Sequence, residues 1–285
     1  MSFSDRIAEL NTFDPSRYVP FVVDDKRVGS IRRDRIALLA EFPDVFIAEP
    51  GRVALSAALN SPKVRSEAVM GAVHALVERR RIRRLRGESY SVVALDDRTL
   101  STKPFFEIDR AVVPFFGIRA FGVHVNGYVR EGGGVSLWIA KRSATAHVHP
   151  AKLDNMVAGG QPASLSIFDN MKKESEEEAS ISESLANTAK AAGHISYCIE
   201  TGEGLGPATM FIYDLELPAN FVPENADGEI DYFELLPMRD VLRLVDDGRE
   251  FKPNSNLVVL DFALRFGVIG SDHPDYAVLS KGLRQ

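Results

Sequence analysis

The sequence predicts an α+β protein in two parts, and three observations carry that reading. Apolar residues recur at helical spacing through much of the first 115 residues, apolar and polar residues alternate after Gly117, and two helical runs that each end in glycine close the chain. Strands mixed with helices point to a sheet covered by helices on its faces. At roughly 150 residues per domain, a chain of 285 residues has room for two. The change of pattern puts the boundary near 112–117, giving a smaller α+β accessory domain over 1–115 and a second domain over 116–285.

"DRIAEL", "SIRRDRIALLAEF" and "KVRSEAVMGAVHALVERR" are the first three predicted helices. In the third, Val64, Ala68, Val69, Ala72, Val73 and Leu76 form one stripe for burial. Short β-rich runs, "PFVV", "DVFIA" and "YSVVAL", lie between and after them. "STKPFFEIDRAVVPFFG" has two prolines and a final glycine and reads as a connection. "AFGVHVNGYVR" then alternates, with Phe121, Val123 and Val125 on one face and His124, Asn126 and Tyr128 on the other, which is a strand with a polar face. With "VSLWIAKR" across the turn "EGGG" it makes a hairpin. "HISYCIE" and "ATMFIYDLEL" make another, and "EIDYFELLP" is one more strand. The closing helices are "MRDVLRLVDDG" and "SNLVVLDFALRFG", each with a glycine suited to the position after the C-cap.

The apolar fraction is 45%, the charged fraction 26% and the net charge −6, so a core is available and bulk nucleic-acid binding is disfavoured. Cys198 is the single cysteine, so no intrachain disulfide is expected. The start "MSFSDRIAEL" lacks the apolar stretch of a signal peptide, and no run has the ~18 apolar residues of a membrane span. These observations lead to the expectation of a cytoplasmic protein that does not enter a membrane.

"MKKESEEEASI" raises a physical question. On a helix Glu174, Glu177 and Glu178 stand at i, i+3 and i+4, point the same way and repel. They also lie toward the C-terminal end, where the helix dipole favours cations. A solvated acidic face is the common outcome of such a run. The alternative is a hard divalent ion such as Mg2+, which takes oxygen ligands and turns the repulsion into attraction. Ser166 with Asp169 forms a capping-box pattern that starts this helix near residue 167. Just upstream, Gly159 and Gly160 let the backbone turn tightly and approach a ligand.

"GGQPASLSIFDNMKKESEEEASI" resembles the signature of the Nudix hydrolases. Anchored on its glutamates, the signature puts Lys173 at the family's arginine, Glu174, Glu177 and Glu178 on its metal-binding glutamates, and Ile181 on its final apolar position. Leu165 stands where an early glutamate belongs, Ser175 at an apolar position and Ser180 at a glycine. The resemblance covers about residues 117–267 and implies a Nudix α/β/α sandwich with a mixed sheet. "FGVHVNGYV", "LWIAKRS" and "LDNMVAGGQPASLS" look like one branch of the family, related in name to thiamine pyrophosphokinase and carrying an extra N-terminal domain. That branch implies Mg2+-dependent hydrolysis, with Mn2+ as a substitute, of thiamine diphosphate or a damaged analogue to the monophosphate. No kinase phosphate loop is present.

The resemblance assigns metal binding and catalysis to Glu174, Glu177 and Glu178, with Glu229 in "DGEI" as a second candidate base. Lys173 is a support that pairs with a helix glutamate. Lys141 and Arg142 end a strand that runs beside the site, where they bind phosphate oxygens or rest in water. His147 and His149 lack a clear third ligand for zinc. His124 is read as a hydrogen-bonded structural histidine and Trp138 as packing. Six arginines between 79 and 86 are read as a solvated helix end, with anion contact as the alternative. The expected partner is a small organic diphosphate, with a homodimer as an option. The competing class is a silent Nudix-like regulator that binds a ligand or nucleic acid without turnover, a reading that Leu165 and Ser180 keep open.

Overall fold

The computed structural model describes residues 2–146 and 148–284. After α1 (Phe3–Glu9), strands β1 (Tyr18–Val23) and β2 (Lys26–Arg32), helix α2 (Ile36–Leu39), and strands β3 (Phe46–Glu49) and β4 (Arg52–Leu55) precede the long α3 (Pro62–Glu78). The four strands form one sheet in the order β2-β1-β4-β3, and β5 (Ser89–Val92) pairs with β6 (Phe106–Asp109) in a separate ribbon. Ser61 caps α3 by accepting from the N–H of Val64, and Pro62 fills the first position, where no N–H is needed. Val69, Ala72, Val73 and Leu76 are buried as the stripe requires, in one core with Phe21, Phe46, Phe106 and Phe116. Val64 is exposed instead, because in the first turn Arg65 turns inward to Asp24 and to the Leu59 carbonyl.

Two expectations for this part are corrected. "SIRRDRIALLAEF" is not one helix: its first residues finish β2, where Ser30 and Ile31 pair with Pro20 and Val19, and only a 3-10 turn (Arg33–Arg35) and the single turn of α2 follow. Cross-strand pairing overrides the local helical period there. The connection 101–117 contains β6 and the short α4 (Val113–Phe116). Gly117 ends α4 at φ 59°, and a Cβ on it would lie 2.3 Å from the Ser30 carbonyl oxygen, so glycine lets α4 cross β2 backbone to backbone.

The second part holds β7 (Ala120–Glu131), β8 (Gly134–Arg142), β9 (Leu153–Asn155), β10 (Val157–Gly160), β11 (Lys190–Thr201), β12 (Gly204–Glu216) and β13 (Ile230–Pro237). The main path runs β11-β12-β7-β8-β13, with β10 on β7 and β9 on β8. The β12–β7 pairing is parallel and the others are antiparallel, so the sheet is mixed. One face packs α5 (Ile167–Ala179) and α6 (Glu183–Ala186) against Val123, Val125 and Phe211. The other packs α7 (Met238–Asp247), α8 (Pro253–Arg265) and α9 (Tyr276–Gly282) against Tyr128, Leu137 and Ile212. This is the expected α/β/α sandwich. With both faces covered, the alternation along β7 separates two cores rather than core from water: His124 and Asn126 are each only 2% exposed.

Helix α1 joins the second core, not the first. Leu10 lies in the core with α8 and α9, and the Leu10 and Thr12 carbonyls accept from the N–H groups of Cys198 and Glu200 on β11. Chain order and packing therefore divide the molecule differently at its start.

Candidate active site

Helix α5 begins where Ser166 Oγ accepts from the Asp169 N–H at 3.1 Å. Asp169 accepts from that same hydroxyl at 2.6 Å instead of reaching the Ser166 N–H, so half of the capping box forms. The helix ends at Ser180, which takes the left-handed conformation (φ 52°) that the family's glycine suits. Met171, Ser175 and Ala179 face the core, and the buried Ser175 donates to the Met171 sulfur.

The three glutamates are neighbours in sequence and unequal in setting. Glu177 is half-exposed and held by Lys173 Nζ at 2.5 Å, which also reaches Glu174 at 3.4 Å. Glu178 is 5% exposed and accepts from the Ala158 N–H on β10 at 2.8 Å. Burial pushes its carboxyl well above the usual range; the Ala158 hydrogen bond opposes this, and the field of Glu174 adds to it. Burial also raises Glu174, against the pull of Lys173. Gly159 lies against that side chain so closely that a Cβ would sit 2.2 Å from the Glu174 carboxyl carbon. Glycine at 159 is thus what lets β10 and the acidic face of α5 meet.

These groups line a cleft of about 580 Å³. Phe121, Gly122, His124 and Met210 contribute to its floor, and Arg142, Glu229, Lys252 and Asn254 to one side. Of the predicted site residues, Glu174, Glu177, Glu178, Lys173, Gly159, Gly160, Arg142 and Glu229 all line it. Lys141 does not: successive residues of a strand point to opposite faces, and Arg142 takes the cleft side of β8. Glu229 is a rim residue, half-exposed and 3.6 Å from Arg142.

Behind the rim, Arg142 and Lys252 share the buried Asp154, at 3.4 and 3.0 Å, and Ser255 donates to its other oxygen. Burial would raise the Asp154 carboxyl, but Lys252, His124 and these hydrogen bonds outweigh it and hold it low. His124 Nδ1 is 2.8 Å from Asn155 Oδ1, and Nε2 is 3.4 Å from Asn254. Burial, with Lys252 nearby, brings its pKa down to about 4, so the ring is neutral at pH 7.

The opposite wall carries Arg86, Glu88, Tyr90 and Arg110, none of which had been singled out as a site residue. Arg86 belongs to the arginine run read as a helix end, yet α3 stops at Glu78 and the run continues beyond it. A Cβ at Gly160 would lie 1.9 Å from the Tyr90 hydroxyl, so the first part of the chain reaches into the site across that glycine. The one local signal was the charge run itself.

His147 lies outside the described residues, and His149 is not among the residues lining the cleft. Among the described residues no group of three or more His, Cys, Asp or Glu side chains is assembled to hold a metal ion. The α5 donor set nevertheless fits a hard divalent cation in its chemistry. It is all carboxylate oxygen, and Glu178 is buried with one backbone hydrogen bond and no ion-pair partner among the described residues. Glu174, Glu177 and Glu178 would hold the ion, which would polarise phosphoryl oxygens and acidify a bound water.

Residues 2–120 match a family described as a domain of unknown function, DUF4743. The chain is 39% identical over 269 residues to Nudix hydrolase 24, chloroplastic, of Arabidopsis thaliana, with 94% of this chain and 73% of that protein aligned. It is 37% identical over 276 residues to Nudix hydrolase 20, chloroplastic, of the same plant, at the same coverage. Among solved structures, DR0079 from Deinococcus radiodurans superposes with a TM-score of 0.45 and 21% identity, covering 61% of this chain and 98% of that one. The protein is a hydrolase of diphosphate linkages, of a class that generally needs a divalent metal. It belongs to the Nudix hydrolase family. No helix among the described residues is long and apolar enough to cross a membrane. The word chloroplastic in the relatives' names gives no support to the expected cytoplasmic location.

Proposed function

We propose that this chain hydrolyses a small organic diphosphate to the monophosphate with Mg2+, and that thiamine diphosphate or a damaged analogue is the substrate. The observation that carries the reading is the charge layout of the cleft. Seven carboxylates and five cationic side chains line it. A bare diphosphate would meet net negative charge there, whereas one bound together with a divalent ion on α5 would not. A cleft of about 580 Å³ lies within the range that holds small organic ligands. The apolar surfaces of Phe121 and Met210 offer contact to the organic group. The thiamine assignment rests on the branch resemblance of "FGVHVNGYV", "LWIAKRS" and "LDNMVAGGQPASLS".

In this reading Glu174, Glu177 and Glu178 hold the ion. Glu177, the most exposed of the three, is free to leave Lys173 as the ion binds. Arg142 faces the phosphate from behind the rim, and Glu229 is the candidate base beside it. His124, neutral and held by two asparagines, keeps the floor fixed and uncharged.

The test is phosphate release by the full chain with Mg2+ across thiamine diphosphates, nucleoside diphosphate derivatives and other coenzymes. We expect thiamine diphosphate or an oxidised analogue to lead the panel. Glu177→Gln is expected to lower kcat by roughly 100-fold or more with an unchanged circular-dichroism spectrum. A folded Glu177→Gln protein at full rate defeats the site assignment, and a nucleotide that outruns every thiamine compound defeats the substrate. Ligand or nucleic-acid binding with no turnover anywhere in the panel would point to the regulator.

A further inference from the structure

The N-terminal wall of the cleft has no task in the reading above. It is anchored by Asp109 at the end of β6. The Asp109 carboxylate accepts from the N–H groups of Ala111 at 2.8 Å, Arg86 at 3.1 Å and Gly87 at 2.7 Å. That one buried side chain ties the exit of β6 to the approach of β5, and so fixes where Arg86 and Arg110 leave the backbone.

Arg110 is then oriented twice. Its Nη1 donates to Glu88 at 2.9 Å, and its guanidinium carbon stands 5.8 Å from the centre of the Tyr90 ring. Among the described residues its Nε and Nη2 have no protein acceptor, and the side chain is 46% exposed toward the cleft. A Cβ at Gly160 would lie 1.9 Å from the Tyr90 hydroxyl and 3.5 Å from the Arg110 guanidinium carbon. The guanidinium thus lies over β10, one residue from the glycine against which Glu174 packs. Three of the other cations differ: Arg142 and Lys252 are committed to the buried Asp154, and Lys173 to Glu177 and Glu174, while Arg86 shares the wall with Arg110.

We propose that Arg110 is a substrate-binding residue supplied by the N-terminal domain. It grips the phosphate oxygens of the organic diphosphate from the side facing α5, with Glu88 and Tyr90 as its positioning residues. The proposal rests on the diphosphate reading. A planar guanidinium with two idle donor nitrogens, Nε and Nη2, along one edge matches phosphate oxygens in pairs, which an ammonium cannot do. The substrate would be held between a metal-bearing helix and a cationic wall, and the N-terminal domain would set which diphosphates bind.

The experiment uses the full chain with Mg2+, titration calorimetry with inorganic diphosphate, and steady-state kinetics with thiamine diphosphate. Arg110→Gln is expected to weaken inorganic diphosphate about tenfold or more and to raise KM by a similar factor, with kcat within about threefold. Arg110→Lys should recover part of the affinity, because charge returns without the paired donors. Gly160→Ala, which displaces Tyr90 while leaving Arg110 in the sequence, should give the same KM-weighted loss. Arg79→Gln removes an arginine paired with Glu41 outside the cleft and should match the unaltered protein. Unchanged affinity and KM in folded Arg110→Gln overturn the proposal, as does an unaltered protein that binds no inorganic diphosphate. If Arg110→Gln misfolds, Arg110→Lys and Gly160→Ala decide it, and wild-type KM and affinity in both overturn it. If the unaltered protein binds inorganic diphosphate through Arg110 yet turns over no thiamine diphosphate, the substrate assignment falls and the role of Arg110 stands.

Discussion

On one wall of the cleft, three glutamates leave a single helix between positions 174 and 178; on the other, Glu88 and Tyr90 come from the approach and start of β5, and Arg110 from the turn after its partner strand β6. The helical wall takes its orientation from a repeat of 3.6 residues, so the relative directions of its carboxylates are set locally. Even so, adjacent residues differ: Glu177 is half-exposed and paired with Lys173, while Glu178 is buried against β10. The strand wall takes its orientation from Asp109 and from cross-strand register. A helix supplies a fixed spread of identical groups, and only packing decides which of them becomes the buried one. A ribbon supplies dissimilar groups at one place, and it does so only if a distant contact holds its ends.

The sharpest way to break this comparison is Gly159→Ala. It touches the helical wall alone, because the new Cβ would fall 2.2 Å from the Glu174 carboxyl carbon and force that side chain aside. A misplacement of about 1 Å can cost 100-fold in rate, so we expect kcat to fall by roughly 10- to 100-fold with KM changed less. Stopped-time assays on the leading substrate measure this. An intact kcat would mean that Glu174 is not held by β10 in the working enzyme.

A second test sits on the floor between the walls. His124 titrates near 4 in the fold and near 6.5 when unfolded. Between those values the unfolded chain binds the extra proton, so stability is complete above pH 6.5 and is lost as the pH falls toward 4. The gap corresponds to roughly 3 kcal/mol. Urea midpoints at pH 7 and 4.5 should show the drop, and His124→Gln should flatten this part of the curve. No difference in slope between the two proteins would show that the floor does not depend on a neutral imidazole.

The smallest effect is expected at the end of α5. Ser180 adopts a left-handed conformation, which costs a non-glycine residue about 1 kcal/mol. Its hydroxyl also donates to the Glu224 carbonyl at 2.8 Å, an exposed bond of similar worth. Ser180→Gly should therefore gain about 0.5 kcal/mol or less, read as a rise of a degree or two in Tm. A clear loss of stability would show that the bond to Glu224, not the backbone, governs this corner.

Long elements with a strong period were legible from the sequence: α3, α5, α7, α8 and the strands β7, β8, β11, β12 and β13 all fall where the apolar pattern placed them. Short elements were legible only in part: α1, β1, β3 and β5 fall on runs read as helix or strand, and others escaped. β2 lay hidden inside a helical-looking run, and β9 and β10 went unassigned, their two glycines read only as a place for a tight turn. Three or four residues carry too little periodicity to reveal a strand whose only partner lies far along the chain. The polar positions of β7 needed the fold for a related reason: alternation shows which residues share a face, not what covers it.

The sequence by itself determined the acidic face of α5, the glycines beside it, the family and the mixed sandwich, because each is written in local spacing or in matched motifs. Only the tertiary structure decided that Glu178 is the buried carboxylate, that Arg142 and not Lys141 faces the cleft, and that Tyr90 and Arg110 close it. Burial, strand facing and the meeting of distant segments depend on what packs against a residue, and a linear sequence carries no measure of that.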